Sequence, residues 1–410
     1  MVVLFLIWTL RDGAARPATQ PTTGFAAPPN GAPGSAIHDN PAMSPVPAPM
    51  LDALALAARA LTVSNPNPRV GCVLTDAGGR VLGSGHTQQT GGPHAEIMAL
   101  RDAAARGVPV TGATAWVTLE PCSHHGRTGP CCNALVAAGI ARVVASVSDP
   151  NPLVAGQGFD RLRAAGVDVE VGPGAAESRE LNLGFFSRMV RQTPWVRLKI
   201  AASLDGKTAL ENGASQWITG EAARADGHAW RARADAILTG IGTVLEDDPL
   251  LDVRLVPTTR QPELVVIDSR LQTPPLARLF QRDRGVLIYF AVQDREKQSA
   301  LHAAGATLVE QPGPDGKVDL AAMLRDLAVR EVNELHVEAG HKLNGSLVRE
   351  GLVDEFLVYL APRLLGQGQD MAAFGPIGEL SQALSLQFRS VDPIGPDLRI
   401  MARVTGRDSF

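Results

Sequence analysis

Apolar and polar positions along the first part of the chain follow helical and strand periods in turn. An Ala/Leu-rich segment opens the pattern, and short runs of β-branched residues bounded by Gly, Asn or Asp follow it. The predicted order is helix 51–62, strands 70–74 and 81–85, helix 94–106, strand 115–119, helix 131–138, strand 143–147, helix 159–165, strand 167–171 and helix 181–191. This alternation indicates a parallel or mixed sheet covered by helices.

A second α/β series begins after Thr193-Pro194, which marks a domain boundary. Its predicted strands are 195–202, 236–239, 264–268, 286–290, 307–310, 334–338, 356–361 and a final hairpin near 384–404. The pattern therefore predicts two domains, 50–192 and 193–408, called the first and second halves below.

Residues 1–49 fit neither series. The apolar run 2–10 is too short to span a bilayer and lacks the positive start of a signal peptide. The Pro-, Ala- and Gly-rich stretch 17–49 is typical of disorder. We expect either a disordered extension or a start codon placed too far upstream, with Met43 or Met50 as the true start.

The net charge and the cysteine count argue against some classes of protein. A net charge of −4 without a Lys/Arg-rich run argues against nucleic acid or an anionic membrane as the main partner. Four cysteines in 410 residues are too few for a disulfide scaffold. Because they cluster beside histidines, they favour metal binding in a reducing compartment, and we expect a cytoplasmic protein.

The strongest chemical signal is His94 and Glu96, followed by Cys122 and Cys131. One imidazole and two thiolates make three zinc ligands, which leaves a fourth position for water. Zinc lowers the pKa of that water towards ~7. Glu96 is near enough to shuttle protons without ligating the metal, and this order of residues is typical of zinc deaminases.

For several residues, structural roles remain open as alternatives to a role in catalysis or binding. A structural zinc site or buried thiols would also use these ligands. Cys72 and Cys132 are interpreted as core residues. The long 122–131 segment, with its two histidines and an arginine, could meet a phosphorylated substrate or only shape a loop. Asn67 either hydrogen-bonds a pyrimidine edge or caps a turn.

These motifs resemble those of the bifunctional riboflavin-biosynthesis deaminase/reductase family. The resemblance covers roughly residues 51–405 and rests on Asn65-Pro66-Asn67-Pro68-Arg69-Val70-Gly71-Cys72-Val73, Pro93-His94-Ala95-Glu96, the run 118–132, Asp149-Pro150-Asn151-Pro152 and Val154-Ala155-Gly156. It implies an α/β protein with an N-terminal cytidine-deaminase-like three-layer domain and a C-terminal dihydrofolate-reductase-like domain. It also implies His94, Cys122 and Cys131 as Zn2+ ligands and Glu96 as the proton shuttle.

The second half has no G-x-G-x-x-G after an early strand, so a Rossmann site is not supported. Gly-rich turns instead follow several predicted strands, at 239–244 and 337–346 among others. Such turns expose backbone N–H groups that can hold a pyrophosphate, although helix caps would explain each one equally well. Together they predict one cleft at the C-terminal edge of a sheet.

The resemblance assigns residues of this cleft by position. It implies NADPH contacts at Ala201, Trp217, Thr243, Asp247, Ser269, Gly340, His341, Lys342, Leu343, Asn344, Gly345 and Ser346. It implies substrate contacts at Ser215, Arg231, Leu251, Arg254 and Glu338. Asn67 in the first half is a further candidate substrate contact, from its own position in the sequence. The two arginines suit a ribose phosphate, because guanidinium groups bind phosphate well, but they could equally be solvated surface charges.

The resemblance implies two reactions on a small phosphorylated pyrimidine: hydrolytic loss of the 2-amino group, then reduction of the ribosyl group by NADPH. We expect no nucleic-acid or membrane partner, and a homo-oligomer. The rival interpretations are a deaminase of nucleic-acid bases with an unrelated C-terminal domain, a non-catalytic zinc scaffold, and a deaminase with an inactive reductase half.

Overall fold

The computed structural model describes residues 45–123, 129–152 and 154–410, and residues 46–410 form one compact unit. The predicted extension therefore lies almost entirely outside the described residues. So do His124, His125 and Arg127 of the long loop, whose role the sequence left open.

The first half is built on a five-stranded mixed sheet in the order β2-β1-β3-β4-β5. The first two strands form an antiparallel hairpin, β3 is antiparallel to β1, and β3, β4 and β5 are parallel. The elements are α1 (Ala48–Arg59), β1 (Gly71–Thr75), β2 (Val81–His86), α2 (Ala95–Ala105), β3 (Thr114–Val117), α3 (Cys131–Ala137), β4 (Arg142–Ala145), α4 (Gln157–Ala164), β5 (Asp168–Val171), α5 (Ala175–Leu181) and α6 (Leu183–Phe186).

The second half is built on a nine-stranded sheet in the order β11-β10-β9-β8-β12-β6-β13-β16-β15. Its strands from β11 to β13 are parallel, and the terminal hairpin adds two antiparallel strands. The elements are β6 (Trp195–Ser203), β7 (Lys207–Leu210), α7 (Glu221–Arg233), β8 (Ala236–Gly240), α8 (Ile241–Asp247), β9 (Glu263–Ile267), β10 (Val286–Phe290), α9 (Arg295–Ala303), β11 (Thr307–Glu310), α10 (Leu320–Val329), β12 (Glu334–Val337), α11 (His341–Arg349), β13 (Glu355–Ala361), β14 (Gly368–Asp370), β15 (Leu386–Ile394) and β16 (Asp397–Val404).

The predicted elements are confirmed within a few residues, with one correction. The single helix predicted over 181–191 is wrong, because α5 ends at Leu181, α6 follows, and a π-helical turn covers Ser187–Arg191. The break falls at Asn182. Its side-chain amide accepts from the Arg69 backbone N–H at 2.7 Å and donates to the Arg69 carbonyl at 3.0 Å. A side chain that pairs with a distant backbone in this way competes with a continuous helix.

Helix α2 lies close against β2 because two strand positions lack side chains. A Cβ added at Gly83 would lie 2.3 Å from the Ala99 carbonyl oxygen, and one added at Gly85 would lie 2.4 Å from Met98 Cβ. The contact buries Ala95, Ala99 and Ala103 of the helix in the core of the first half. It therefore fixes the helix whose first turn carries Glu96.

A row of buried charges crosses the second sheet where the first half packs against it. Arg197, Glu355 and Arg403 lie directly opposite one another on β6, β13 and β16. Arg197 donates to Glu355 at 2.8 Å and to Glu334 at 2.9 Å, and Arg403 donates to Glu355 at 2.9 Å. Arg69 of the first half also pairs with Glu334. Because all five side chains are at most 5% exposed, these charges depend on each other for compensation.

Phe410 joins the two halves from the far end of the sequence. Its ring lies 5.6 Å from that of Phe186 and 6.3 Å from that of Trp195, measured between centroids. The guanidinium carbon of Arg191 lies 4.9 Å from the Phe410 centroid. The residue thus packs against the hydrophobic core of the first half although it follows the last strand of the second.

Candidate functional site

A histidine and two cysteines of the first half meet at the starts of two helices. His94 Nδ1 lies 3.6 Å from Cys122 Sγ and 3.3 Å from Cys131 Sγ, and the three candidate ligand atoms lie within 4.8 Å of one another. His94 precedes α2, and Cys131 is the first residue of α3. Among the described residues this is the group that could hold a metal ion.

Local hydrogen bonds place the two sulfurs. The Cys131 backbone N–H donates to Cys122 Sγ at 3.3 Å, and the Cys132 N–H donates to the Cys122 carbonyl at 3.2 Å. Free N–H groups at a helix start stabilise a thiolate. The Cys132 thiol instead donates to the Pro121 carbonyl at 3.1 Å and is buried, while Cys72 is buried in β1. Both placements fit the predicted core role.

The protein environment also favours a thiolate in this cluster. A hydrogen bond from the Cys131 thiol, followed by one from His94, lowers the pKa of Cys122 to about 4. The same hydrogen bond to Cys122, together with burial, raises the pKa of Cys131. The hydrogen bond with Cys122 raises the pKa of His94. The three groups therefore share their protons as one unit.

Glu96 lies in the first turn of α2, beside this cluster, and is 3% exposed. Burial, and then the negative charge of Cys122, raise its pKa to about 7. A carboxyl group with a pKa near neutrality can both accept and release a proton under ordinary conditions. The side chain that the sequence predicted as a proton shuttle therefore has the burial and the pKa that such a role needs.

Glu120 supports the site, a role that the sequence pattern did not predict. Its carboxylate accepts from the N–H groups of Asp149 and Gly156 at 3.0 Å each and from that of Gly158 at 2.8 Å. The buried carboxylate thus joins Asp149, Gly156 and Gly158 to the segment that leads into Cys122. Only its position next to Pro121-Cys122 could have indicated this from the sequence.

A groove of about 670 Å³ lies beside the cluster, between α2 and α3. Pro93, Arg101, Pro130 and Asn133 are among the residues that line it. Asn67 lies in the loop before β1 and is partly exposed, and its backbone N–H donates to the Ser64 carbonyl at 2.8 Å. Its predicted contact with substrate stays a prediction.

The glycine-rich turns of the second half meet at one edge of the sheet, as predicted. The strands β9, β8, β12 and β6 are adjacent and parallel, so their C-terminal ends lie side by side. Helices α8 and α11 both start there: a Cβ added at Gly240 would lie 3.2 Å from Leu343, and one at Gly340 would lie 4.0 Å from Thr243. This edge is opposite the one where the row of buried charges begins, at Glu334.

Glu338 is the centre of a charged cluster at this edge. It forms a two-bond ion pair with Arg231, whose Nη2 donates to Oε2 at 2.8 Å, and Lys199 Nζ lies 3.6 Å from the same oxygen. Burial opposes its ionisation, but the charges of Arg231 and Lys199 outweigh burial and hold its pKa well below the usual range. The structure therefore brings together two of the predicted substrate contacts and Lys199.

Arg254 and Leu251 occupy a loop next to this cluster. Arg231 Nη1 donates to the Asp252 carbonyl at 2.9 Å, and Arg254 Nη1 lies 2.5 Å from the Asp252 carboxylate. The Leu251 side chain is buried in the core, and its carbonyl accepts from Arg284. His228, which the sequence analysis did not single out, accepts from the Arg254 backbone N–H at 3.2 Å. Burial lowers its pKa to about 4, so it is a neutral acceptor.

The predicted cofactor contacts differ in exposure. Trp217 is 59% exposed with Arg224 stacked 4.7 Å from its ring, and Asp247 is also exposed. Partial desolvation of its carboxyl group, and then the charge of Glu246, raise the pKa of Asp247. Ala201 is partly exposed, and so is Ser215, which was predicted as a substrate contact.

Ser269 and the helix α11 are held by nearby backbone. Ser269 Oγ accepts from the Val318 N–H at 3.1 Å. Within 340–346, Gly340 and Lys342 are exposed, and His341 Nδ1 lies 3.0 Å from Gln369 Oε1. Ser346 donates to the Lys342 carbonyl.

Asn344 and Gly345 are buried where α11 meets the chain after β14. Asn344 donates to the Met371 carbonyl at 2.9 Å, and a Cβ at Gly345 would lie 2.0 Å from the Ala373 carbonyl oxygen. These two residues therefore pack the helix in place, and their predicted cofactor contact stays a prediction.

In the described part of the chain, none of the helices has the length and apolar character needed to cross a membrane.

Two family models match the chain, one in each half. The "Cytidine and deoxycytidylate deaminase zinc-binding region" matches residues 47–147, and the "RibD C-terminal domain" matches residues 194–400.

Curated relatives match over most of their length. The riboflavin biosynthesis protein RibD of Escherichia coli (strain K12) is 44% identical over 362 residues, which cover 85% of this chain and 96% of the relative. The protein of the same name from Aquifex aeolicus (strain VF5) is 38% identical, with coverage of 85% and 95%.

Solved structures agree with this likeness. The RibD structure from Acinetobacter baumannii (form 1) has a TM-score of 0.79 at 38% identity and covers 87% of this chain and 98% of its own. A diaminohydroxyphosphoribosylaminopyrimidine deaminase/5-amino-6-(5-phosphoribosylamino)uracil reductase from Thermotoga maritima has a TM-score of 0.76 at 31% identity, with coverage of 87% and 97%. These likenesses confirm the predicted fold class.

Proposed function

The chain belongs to the RibD family of riboflavin biosynthesis proteins, and on that basis we propose which substrate, metal, cofactor and residues its two halves use. Membership makes it an enzyme with a deaminase half and a reductase half. The rival nucleic-acid deaminase with an unrelated C-terminal domain is not favoured, because the second half matches the RibD C-terminal domain.

The first half hydrolyses the 2-amino group from 2,5-diamino-6-(5-phosphoribosylamino)pyrimidin-4-one and releases ammonia. The observation that carries this proposal is the three-ligand cluster with buried Glu96 beside it. In a tetrahedral zinc site, a ligand nitrogen and a ligand sulfur lie about 3.6 Å apart, as bond lengths of about 2.1 and 2.3 Å require. The nitrogen–sulfur distances of 3.3 and 3.6 Å, and the donor set itself, fit zinc held by His94, Cys122 and Cys131.

Zinc in such a site acts as a Lewis acid and makes a nucleophile from water near neutral pH. The chain supplies the proton transfers. Glu96 accepts one proton when water attacks the pyrimidine carbon and donates it to the ring nitrogen. It then accepts the second proton, from the hydroxyl group left on that carbon, and donates it to the amine, which departs as ammonia. Burial of Glu96 excludes bulk water from that exchange. Asn67 is proposed to hold the pyrimidine edge.

The second half reduces the ribosyl group of the deaminated product to ribityl. NADPH supplies the hydride when bound. The cleft between the starts of α8 and α11 is open at Gly242 and Gly340, where an added Cβ would meet nothing closer than Thr243 at 4.0 Å. Exposed backbone N–H groups and Lys342 there suit a pyrophosphate. The NADPH site is proposed to consist of the residues that the resemblance assigns to the cofactor, of which Ala201 is the first in the sequence and Ser346 the last.

Glu338 and its cations are proposed to hold the sugar of the substrate. Arg231 fixes the carboxylate by two hydrogen bonds, so Glu338 presents a charged acceptor in a fixed orientation. Lys199, whose Nζ lies 3.6 Å from Glu338 Oε2, is proposed to exchange a proton with the ribosyl ring oxygen as the ring opens. Ser215, Leu251 and Arg254 complete the proposed substrate site, with Arg254 directed to the phosphate.

Removal of the metal separates the two reactions. We expect a zinc chelator to abolish ammonia release from the diaminopyrimidine phosphate and to leave NADPH oxidation with the deaminated substrate within about twofold, because the reductase cleft contains none of the three ligands. Added Zn2+ should restore ammonia release. The two rates are followed separately in one preparation.

The adjacent cysteines provide a matched control for that experiment. Cys131→Ala removes a ligand and should eliminate bound zinc, whereas Cys132→Ala removes a thiol that faces Pro121 and should keep one zinc per chain. Zinc content measured by atomic emission decides between them. Equal zinc loss in both variants, or ammonia release from metal-free protein, would overturn the proposed centre.

The proposed phosphate contact is tested by a second matched pair. Arg254 and Arg282 both pair with Asp252 and have side chains 45% and 41% exposed, but only Arg254 is a predicted substrate residue. Arg254→Met should lower reductase kcat/KM about 10- to 100-fold through KM, as loss of a charge-assisted hydrogen bond of ~1.5–3 kcal/mol requires. Arg282→Met should change it less than about threefold. Equal effects in the two variants would mean that Arg254 stabilises the loop and does not bind the phosphate.

A further inference from the structure

The segment 65–69, called the 65–69 loop below, belongs to the first half but is held by the second. Asn65 Nδ2 donates to Asp235 Oδ1 at 2.6 Å and to the Arg233 carbonyl at 3.3 Å. Asn333 Nδ2 donates to the Pro66 carbonyl at 2.8 Å. Two consecutive residues of the loop are thus fixed by side chains that follow in sequence by more than 160 positions.

The end of the loop is anchored by charge. Arg69 pairs with Glu334 of β12, and its Nη1 also donates to the Leu181 carbonyl at 2.8 Å. Its backbone N–H and carbonyl are both bonded to Asn182. Because the side chain and the backbone of Arg69 are both fixed, the direction in which the chain enters β1 is fixed as well.

The groups that hold the loop are themselves rigid. Asp235 Oδ2 accepts from the backbone N–H groups of Asn333 at 3.0 Å and Glu334 at 2.8 Å, which leaves Oδ1 directed at Asn65. Asn333 Oδ1 accepts from Arg188 at 2.6 Å, which leaves Nδ2 directed at Pro66. In each side chain, one polar atom is therefore fixed by hydrogen bonds outside the loop, and the other is hydrogen-bonded to the loop.

The loop is also bonded to the segment that leads into the deaminase site. Thr90 Oγ1 donates to the Asn65 carbonyl at 2.7 Å, and Thr90 lies four residues before His94 and next to Gly91, which lines the groove beside the cluster. Asn67, the proposed substrate contact, lies between Pro66 and Arg69, both of which the second half holds. A shift of the loop would thus move Asn67 relative to the groove.

We propose that Asp235 and Asn333 of the second half are positioning residues for deamination, which act by holding the 65–69 loop so that Asn67 meets the pyrimidine. The inference rests on the proposed function of the first half. It means that the deaminase site is completed by the reductase half, which contributes no atom to the reaction.

A donor–acceptor exchange across the interface tests this proposal. Asn65→Asp places a carboxylate against Asp235, so two acceptors meet. Asp235→Asn is the control, because Asn65 can turn its Oδ1, which has no partner among the described residues, towards the new amide and keep one hydrogen bond. In the double variant Asn65→Asp/Asp235→Asn the roles are exchanged, so a hydrogen bond can form again while the new amide oxygen still accepts from the two backbone N–H groups. Full-length protein with zinc bound is used throughout.

We expect Asn65→Asp to lower deaminase kcat/KM about 10- to 100-fold, mainly through KM, since misplacement of a substrate contact by about 1 Å has effects of this size. Asp235→Asn should lower it less than about tenfold, because one hydrogen bond to Asn65 can still form. The double variant should recover to within about threefold of the parent. Reductase kcat/KM should stay within about twofold in all three, because the reductase cleft lies at the opposite edge of the sheet, and zinc content should stay at one per chain.

Recovery in the double variant, with the reductase reaction unchanged, separates positioning from general stability. A double variant no better than Asn65→Asp, or reductase loss parallel to deaminase loss, would overturn the proposal. Failure of the proposed function would look different, because the parent protein itself would then release no ammonia from the diaminopyrimidine phosphate.

Discussion

Glu96→Gln is expected to slow ammonia release by about two to four orders of magnitude, the usual contribution of a positioned acid–base group. Glutamine has the shape of glutamate but cannot exchange a proton. Glu96 is buried and has a pKa of about 7. It is the acidic residue of the first turn of α2, so no other carboxyl group there can replace it. The loss should appear in kcat, because protons move in the reaction and not on binding.

Two measurements make this result specific. Zinc content and NADPH oxidation should be those of the parent protein, since Glu96 is not one of the three ligands. Asp102→Asn, in the same helix, removes a partly exposed ion pair with Arg106 but keeps a side-chain oxygen that can accept from the Ser84 backbone N–H, and it should leave ammonia release within about twofold. A Glu96→Gln protein that keeps a tenth or more of its turnover would assign proton transfer to another group and would support the rival zinc scaffold.

Glu334→Gln is expected to lower the free energy of unfolding by about 3–5 kcal/mol, because it leaves buried arginines without their counter-charge. Glu334 is fully buried and pairs with Arg69, Arg197 and Arg233. Burial opposes its ionisation, but the charges of Arg233, Arg69 and Arg197 outweigh burial and hold its pKa well below the usual range. Urea denaturation followed by circular dichroism measures the loss.

Glu170→Gln is the matched control, because Glu170 lies on β5 in a pair with Arg142 whose side chains are both nearly half exposed. Its unfolding midpoint should hardly move, since exposed ion pairs contribute little. A change below about 1 kcal/mol for Glu334→Gln would mean that water reaches the arginines and that the row of charges is not a closed network.

The sequence was most informative where chemistry constrains spacing. His94, Glu96, Cys122 and Cys131 could be selected because few arrangements put three zinc ligands and a carboxylate in that order. The strands were predictable because buried parallel strands form apolar runs. The helix over 181–191 was wrong because the interruption at Asn182 depends on Arg69, more than a hundred residues earlier.

The residues that support the two sites could not be predicted from the sequence, because their partners are also distant along the chain. Glu120 and His228 act through backbone N–H groups that only the folded chain brings near them. The charges in β6, β12, β13 and β16 contradict the apolar pattern of those strands, and only their register shows that Arg197 and Glu355 are opposite each other. A single sequence gives residue types and spacing, but not which distant segments pair.

The packing of Phe410 has a consequence for synthesis of the chain. Its ring completes a contact with Phe186, yet the ribosome adds it more than two hundred residues later. At about 5–20 residues per second, that interval is roughly 10 to 45 seconds. During that time the nascent first half displays an unfinished aromatic surface, so we expect it to bind chaperones and to reach its final compactness only when the second half emerges.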